Sequence, residues 1–172
     1  MENFPPPLQQ TENGDLNVQS IADVVEWFLN YDERVAAIRH PDVDAIYQWR
    51  QQDAKMNGAE MEPFDRAEDR FAIGIFHALA ENANEQALQQ WIKDLLAALQ
   101  EAKQLSAQIS EDFKFPKQEA AGTPLENAAL LPTNNERRLY LSACWLEILC
   151  TAEIRVLGWV YEQLYGKSFA AA

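Results

Sequence analysis

Residues 134 to 165 read NNERRLYLSACWLEILCTAEIRVLGWVYEQLY, and this stretch decides the fold. Thr133-x-x-Glu136 opens it with the spacing of a capping box, in which a hydroxyl and a carboxylate satisfy backbone N–H groups left open at a helix start. Gly166 follows it, the residue best suited to the left-handed turn that ends a helix. Between Leu139 and Tyr161 only Glu147, Glu153 and Arg155 carry charge. A helix apolar around most of its circumference is either a membrane span or the centre of a bundle. Three mid-span charges, each costing about 3 kcal/mol in hydrocarbon, decide for the bundle, and no other segment is apolar enough to accompany a span.

Placing successive residues about 100° apart sets Glu147, Thr151, Arg155 and Glu162 on one arc with Tyr140 and Gly158, the expected solvent side. Glu153 falls elsewhere, among Ser142, Leu149, Leu157 and Val160, so its carboxylate points into a surface that otherwise reads as core. Unpaired in such a place it would cost several kcal/mol or take up a proton. The sequence therefore predicts a buried ion pair with Arg34, Arg50 or Arg70, or a functional acid.

Outward from this helix, four more are expected. Residues 20 to 39 carry Ile21, Val24, Val25, Phe28, Tyr31, Val35 and Ile38 at helical spacing, after a weak capping box at Ser20 and Asp23. Pro41 starts a second at its favoured first-turn position, with Asp42 and Asp44 facing the positive end of the dipole and Gly58 ending it. A third spans about 63 to 82. The fourth, about 85 to 110, has a clean stripe of Leu88, Trp91, Ile92, Leu95 and Leu99. The expectation is an all-α, compact bundle of about five helices with a central, largely apolar C-terminal helix. It forms one domain over residues 20–172, with a long connection at 111–132 that holds Pro116, Gly122, Pro124 and Pro132. Residues 1–19, with Pro5, Pro6 and Pro7 and no periodicity, read as a flexible arm.

The chain has 27 acids against 14 bases, a formal net charge of -13, and an excess of acids in each of the stretches 1–60, 61–110 and 111–172. Bulk attraction to nucleic acid or to an anionic membrane needs the opposite balance. Hydrophobic residues at 48% and five Trp supply ample core, which excludes a disordered acidic chain. Cys144 and Cys150, six apart on one helix, are separated by about 9 Å along its axis and point in different directions, so they cannot bond to each other. With no basic and apolar leader at its start, the protein is expected in the cytoplasm.

Few residues carry recognisable chemistry. Arg66, Arg70, Gly74, His77 and Glu81 share one helix face, and the Arg70-x6-His77 spacing resembles the Arg-x(4-6)-His signature of the HEPN family, all-helical domains that include metal-independent ribonucleases. That resemblance implies His77 as general acid or base and Arg70 as stabiliser of charge on phosphate. Arg34-x5-His40 meets the same spacing. A di-iron centre would need Glu three residues before a histidine, where Ala37 and Gly74 stand. A magnesium-dependent nucleotide hydrolase would need paired acids on facing helices, and Asp23 with Glu26 is the one such pair placed within a helix. No glycine-rich phosphate loop or nucleophile elbow is present. The function expected is therefore non-enzymatic, binding of another protein as adaptor, assembly factor or inhibitor, with a basic partner surface favoured by the acidity and no cofactor or metal. The alternatives are the HEPN-like ribonuclease and the magnesium-dependent hydrolase. Trp49, Tyr161 and Tyr165 are the candidate interface aromatics.

Overall fold

The computed structural model describes residues 4–60, 62–81, 84–115 and 123–169. The protein is all-α: among the described residues seven helices and one short 3-10 turn are connected by loops, with an isolated bridge between Gln10 and Leu16 and no strand. In chain order these are α1 (Val18–Tyr31), α2 (Glu33–Ala36), the 3-10 turn Ala37–Arg39, α3 (Pro41–Met56), α4 (Ala67–Glu81), α5 (Glu85–Asp112), α6 (Pro124–Ala129) and α7 (Asn134–Tyr165).

α7 starts and stops where its sequence directs. Thr133 accepts a hydrogen bond from Glu136 N at 3.1 Å and donates to the Glu136 carboxylate at 2.6 Å, and Gly166 takes φ +67 at the far end. Every other helix touches α7 or an element that does, and the most extensive seam is with α5. That seam is antiparallel. Gln89 donates to Tyr161 Oη at 2.7 Å at one end, and Ser106 donates to Glu147 at 3.0 Å at the other. Leu141, Val156, Leu157 and Val160 of α7 are completely buried against Phe71, Ile75, Ile92 and Val35 of the surrounding helices. Among the described residues no helix is long and apolar enough to cross a membrane.

Three element boundaries differ from the sequence expectation, each because a side chain captures backbone N–H groups. The helix expected over residues 20 to 39 breaks at Asp32, whose carboxylate accepts from Arg34 N at 3.0 Å and Val35 N at 3.3 Å and so starts α2 in a new direction. α1 begins earlier than expected because Asn17, rather than Ser20, caps it, accepting from Ser20 N. α4 begins at Ala67, not near Pro63, where Asp44 of α3 accepts from Ala67 N at 2.8 Å. The count of about five helices rises to seven through the break at Asp32 and through α6. Thr123 and Pro124 nucleate α6 inside the connection. Pro116 and Gly122 of that connection, and the expected end of the third helix at Asn82, lie outside the described residues.

The stretch before α1 runs over the bundle. A turn closes between Thr11 and Asp15 at 2.7 Å, Gln9 N donates to Ser20 Oγ at 3.1 Å, and Leu8 and Leu16 pack against the core.

Candidate functional site

α4 and α5 follow each other in the chain but barely touch, because each packs on α7 separately. The result is an open cleft of about 380 Å³ with α7 as its floor. Trp91, Leu95 and Ala98 form the α5 wall, Leu146, Leu149 and Cys150 the apolar floor, and Arg70 and Gly74 the α4 wall. Glu153 stands at one end of the floor and Asp94 on the rim.

Glu153 is only 4% exposed, and among the described residues its carboxylate makes neither a hydrogen bond nor an ion pair. Burial pushes its pKa up to about 7, with Arg70 opposing. The carboxylate rests directly above Gly74: a Cβ there would stand 2.6 Å from Glu153 Oε1 and 3.2 Å from Arg70 Nη1. The absent methyl is thus what leaves room for the carboxylate to pack against α4.

Arg70 is held by its other edge. Its Nε donates to Glu62 at 3.2 Å, and Glu62 also accepts from Tyr47 Oη at 2.9 Å. Gln51 completes the support, donating to Tyr47 Oη at 3.2 Å and to the Glu62 carbonyl at 2.9 Å. Tyr47 is completely buried, and burial first, then the Glu62 charge, drives its phenol pKa far up. Arg50 lies close by over the Trp145 ring, 5.9 Å from its centroid, and donates to Ser142 at 3.5 Å. Burial pulls its guanidinium pKa down.

The three arginines offered as partners for Glu153 therefore separate. Arg70 faces it across Gly74, Arg50 stacks on Trp145, and Arg34 flanks a different groove, with Lys103 and Glu147, between α2 and α7. The ion pair expected for Glu153 is not closed.

Arg70 and His77 do not form one site. His77 is exposed and lies outside the cleft that Arg70 lines, and the Glu81 side chain of the same predicted stripe lies outside the described residues. His40 serves as the N-cap of α3, its Nδ1 accepting from Asp42 N at 3.1 Å. Glu26, of the acid pair in α1, is ion-paired to Arg39 at 3.0 Å. No group of three or more His, Cys, Asp or Glu stands together as a metal-ligand set among the described residues.

Two aromatic expectations are corrected by burial. Tyr161 is 1% exposed, accepts from Gln89 and packs its ring 5.1 Å from that of Tyr165, so it is core rather than an interface anchor. Tyr140, placed by angle on the solvent arc, is buried under Phe115 at 5.2 Å, because the chain after α5 folds over that end of α7. Trp49 and Tyr165 are half-buried and pack on the core. Both thiols are buried and driven up to about 11 by that burial, which leaves them poor nucleophiles.

The cleft residues that sequence reasoning missed are Gly74, Trp91 and Leu146. A lone glycine amid an apolar helix was the available signal for the first, since it marks close approach by a neighbour. Comparison with known proteins finds no family, no curated protein and no solved structure that matches the chain.

Proposed function

We propose that the protein is a non-enzymatic, cytoplasmic binding protein that receives a segment of another protein in the cleft between α4 and α5. The observation that carries this reading is an unpaired, buried carboxylate at the floor of an open apolar cleft. Apolar walls with a few convergent polar groups are the make-up of a recognition site, and Leu146, 36% exposed on the floor, gives an apolar side chain somewhere to pack. The cleft is bounded by two helices over a third, a shape that accepts a helical or extended segment by its side chains. The net charge of -13 and the rim acid Asp94 favour a segment flanked by basic residues. The ribonuclease alternative lacks this kind of support, since Arg70 is engaged by Glu62 and His77 stands outside the cleft.

A photo-crosslinking amino acid at Leu146, introduced in the native host, tests the reading. One discrete, basic adduct is expected, absent when the same group replaces Gln19 on the exposed side of α1 and lost on Trp91→Ala. Equal adducts from both positions, or none from Leu146, would overturn it.

A further inference from the structure

The chemistry at the end of the cleft specifies more than an apolar partner. Glu153 and Arg70 both line this end of the cleft and both pack over Gly74, where Oε1 and Nη1 lie 2.6 and 3.2 Å from the position a Cβ would take, and neither is paired with the other. Arg70 is engaged through its Nε by Glu62, which leaves its Nη groups for the cleft it lines. A group entering here meets an acceptor and a donor side by side. An ammonium would satisfy Glu153 and stand against the guanidinium; a carboxylate would satisfy Arg70 and stand against Glu153. A neutral group with a donor and an acceptor on neighbouring atoms satisfies both, which is the description of a carboxamide.

We propose that the end of the cleft lined by Arg70 and Glu153 is a carboxamide-recognition site, at which the partner segment places a glutamine or asparagine side chain that donates its N–H to Glu153 and accepts from Arg70, while adjacent apolar residues pack on Trp91 and Leu149. The inference rests on the reading of the cleft as a docking groove. Trp91, Leu95, Ala98 and Leu149 surround these two groups with apolar surface, so a charged group would lose its hydration without full compensation, whereas a neutral amide pairs one N–H and its carbonyl here and can turn its second N–H to the open side of the cleft. The raised pKa of Glu153 is consistent with this choice. An amide has both functions, donating to the carboxylate and accepting from the protonated acid, and so matches either form.

The test needs no knowledge of the partner. 4-Phenylbutanamide, 4-phenylbutanoate and 4-phenylbutylamine are titrated into the full chain, following the Trp91 indole resonance assigned with Trp91→Phe. A second arm uses the acetylated, amidated peptide Leu-Leu-Gln-Leu-Leu and its Glu and Lys counterparts. The amide and the Gln peptide are expected to shift Trp91 saturably, each binding at least about fivefold tighter than its charged counterparts. Glu153→Leu should weaken the amide by about tenfold, while Glu153→Gln, which keeps an acceptor in place, should stay within about threefold. Should Glu153→Leu melt below the assay temperature, Gly74→Ala serves instead, because its Cβ displaces Oε1 and must weaken the amide.

Tighter binding of the amine or the acid, indifference among the three, no shift at all, or binding of the free amide without the Gln peptide would each overturn the proposal. The two readings fail separately. A crosslink from Leu146 without amide preference leaves docking intact and removes the carboxamide site; amide binding without a crosslink does the reverse.

Discussion

α7 meets its neighbours through charged pairs of two kinds. Arg155 closes on Asp32 at 2.6 Å and Arg138 on Asp53 at 2.6 Å, tying α7 to the start of α2 and to α3. Glu153 and Arg70 lie on either side of Gly74 and stay open. In the closed pairs both partners face water on at least one side, and Asp32 and Asp53 are also engaged by backbone or amide donors. These charges are used up in holding helices in register. In the open pair one member is buried over Gly74 and the other is engaged by Glu62. The same residue types thus complete each other at the closed pairs and leave their bonding capacity unused at the open one. The largest tests of this contrast concern the helix beneath both.

Leu157 is completely buried on α7, one turn beyond Glu153. Leu157→Ala should cost about 3–5 kcal/mol in urea denaturation, the range for a deleted core leucine that leaves a cavity. Leu146→Ala, on the cleft floor, should stay within about 0.5 kcal/mol. If the two cost the same, the cleft is not a surface spared from the core and the contrast fails.

The open pair should be a liability to folding. The folded pKa of Glu153, raised to about 7, exceeds its unfolded value, so protonation favours the folded state: stability tied to this group is present below the unfolded pKa and is lost as pH rises from about 4.5 to 7. Glu62 and Arg70 from α4 and its approach, Asp94 from α5 and Cys150 from α7 face the same region, and none of them supplies a compensating bond. Glu153→Gln should therefore match the wild type at about pH 3.5, below the unfolded pKa, and exceed it by an amount on the order of 3 kcal/mol at pH 8. Urea midpoints at the two pH values check this, and an equal or larger deficit in the variant at pH 8 would show that the acid is paired after all.

The closed pair at Asp32 should behave in the opposite way. Burial raises its pKa, but the hydrogen bond and charge of Arg155 and the Val35 and Arg34 amides outweigh it and hold the carboxyl below the ordinary range. Its contribution is present above the unfolded pKa and is lost as pH falls through the lower folded value. Asp32→Ala should cost about 1–2 kcal/mol at pH 7, mostly as a lost helix cap, and less below pH 3. Arg155→Ala, which spares the cap, should cost less than Asp32→Ala at pH 7; thermal melts of both variants decide.

The bundle was legible because α7 is delimited by local chemistry, a capping box and a terminal glycine, and because its apolar circumference admits few environments. Glu153 was legible for the same reason: an acid on an apolar arc is visible from periodicity alone. The break at Asp32 and the late start of α4 were not, since they depend on which backbone N–H a carboxylate captures, and for Ala67 that carboxylate is Asp44, on another helix. Tyr140 was misplaced because an angular test cannot tell how much of a helix circumference its neighbours cover, and Tyr161 because residue type alone does not say which aromatics the core takes. The cleft itself was invisible, being the gap left by two helices that pack on a third and not on each other.

Gly74 carries the smallest expected effect and the most specific one. In an isolated helix, alanine in place of glycine gains about 1 kcal/mol through backbone entropy. Here the new Cβ would meet Glu153 Oε1 at 2.6 Å, so the carboxylate must move off α4, and Arg70 Nη1 at 3.2 Å must give by a few tenths of an ångström. Gly74→Ala should accordingly be close to neutral in the wild type and stabilising by about 0.5–1 kcal/mol in a Glu153→Ala background, a coupling that a double-mutant cycle measures directly. Equal stabilisation in both backgrounds would mean that the carboxylate does not rest over Gly74. The space left by the missing Cβ would then have no part in how the acid is seated.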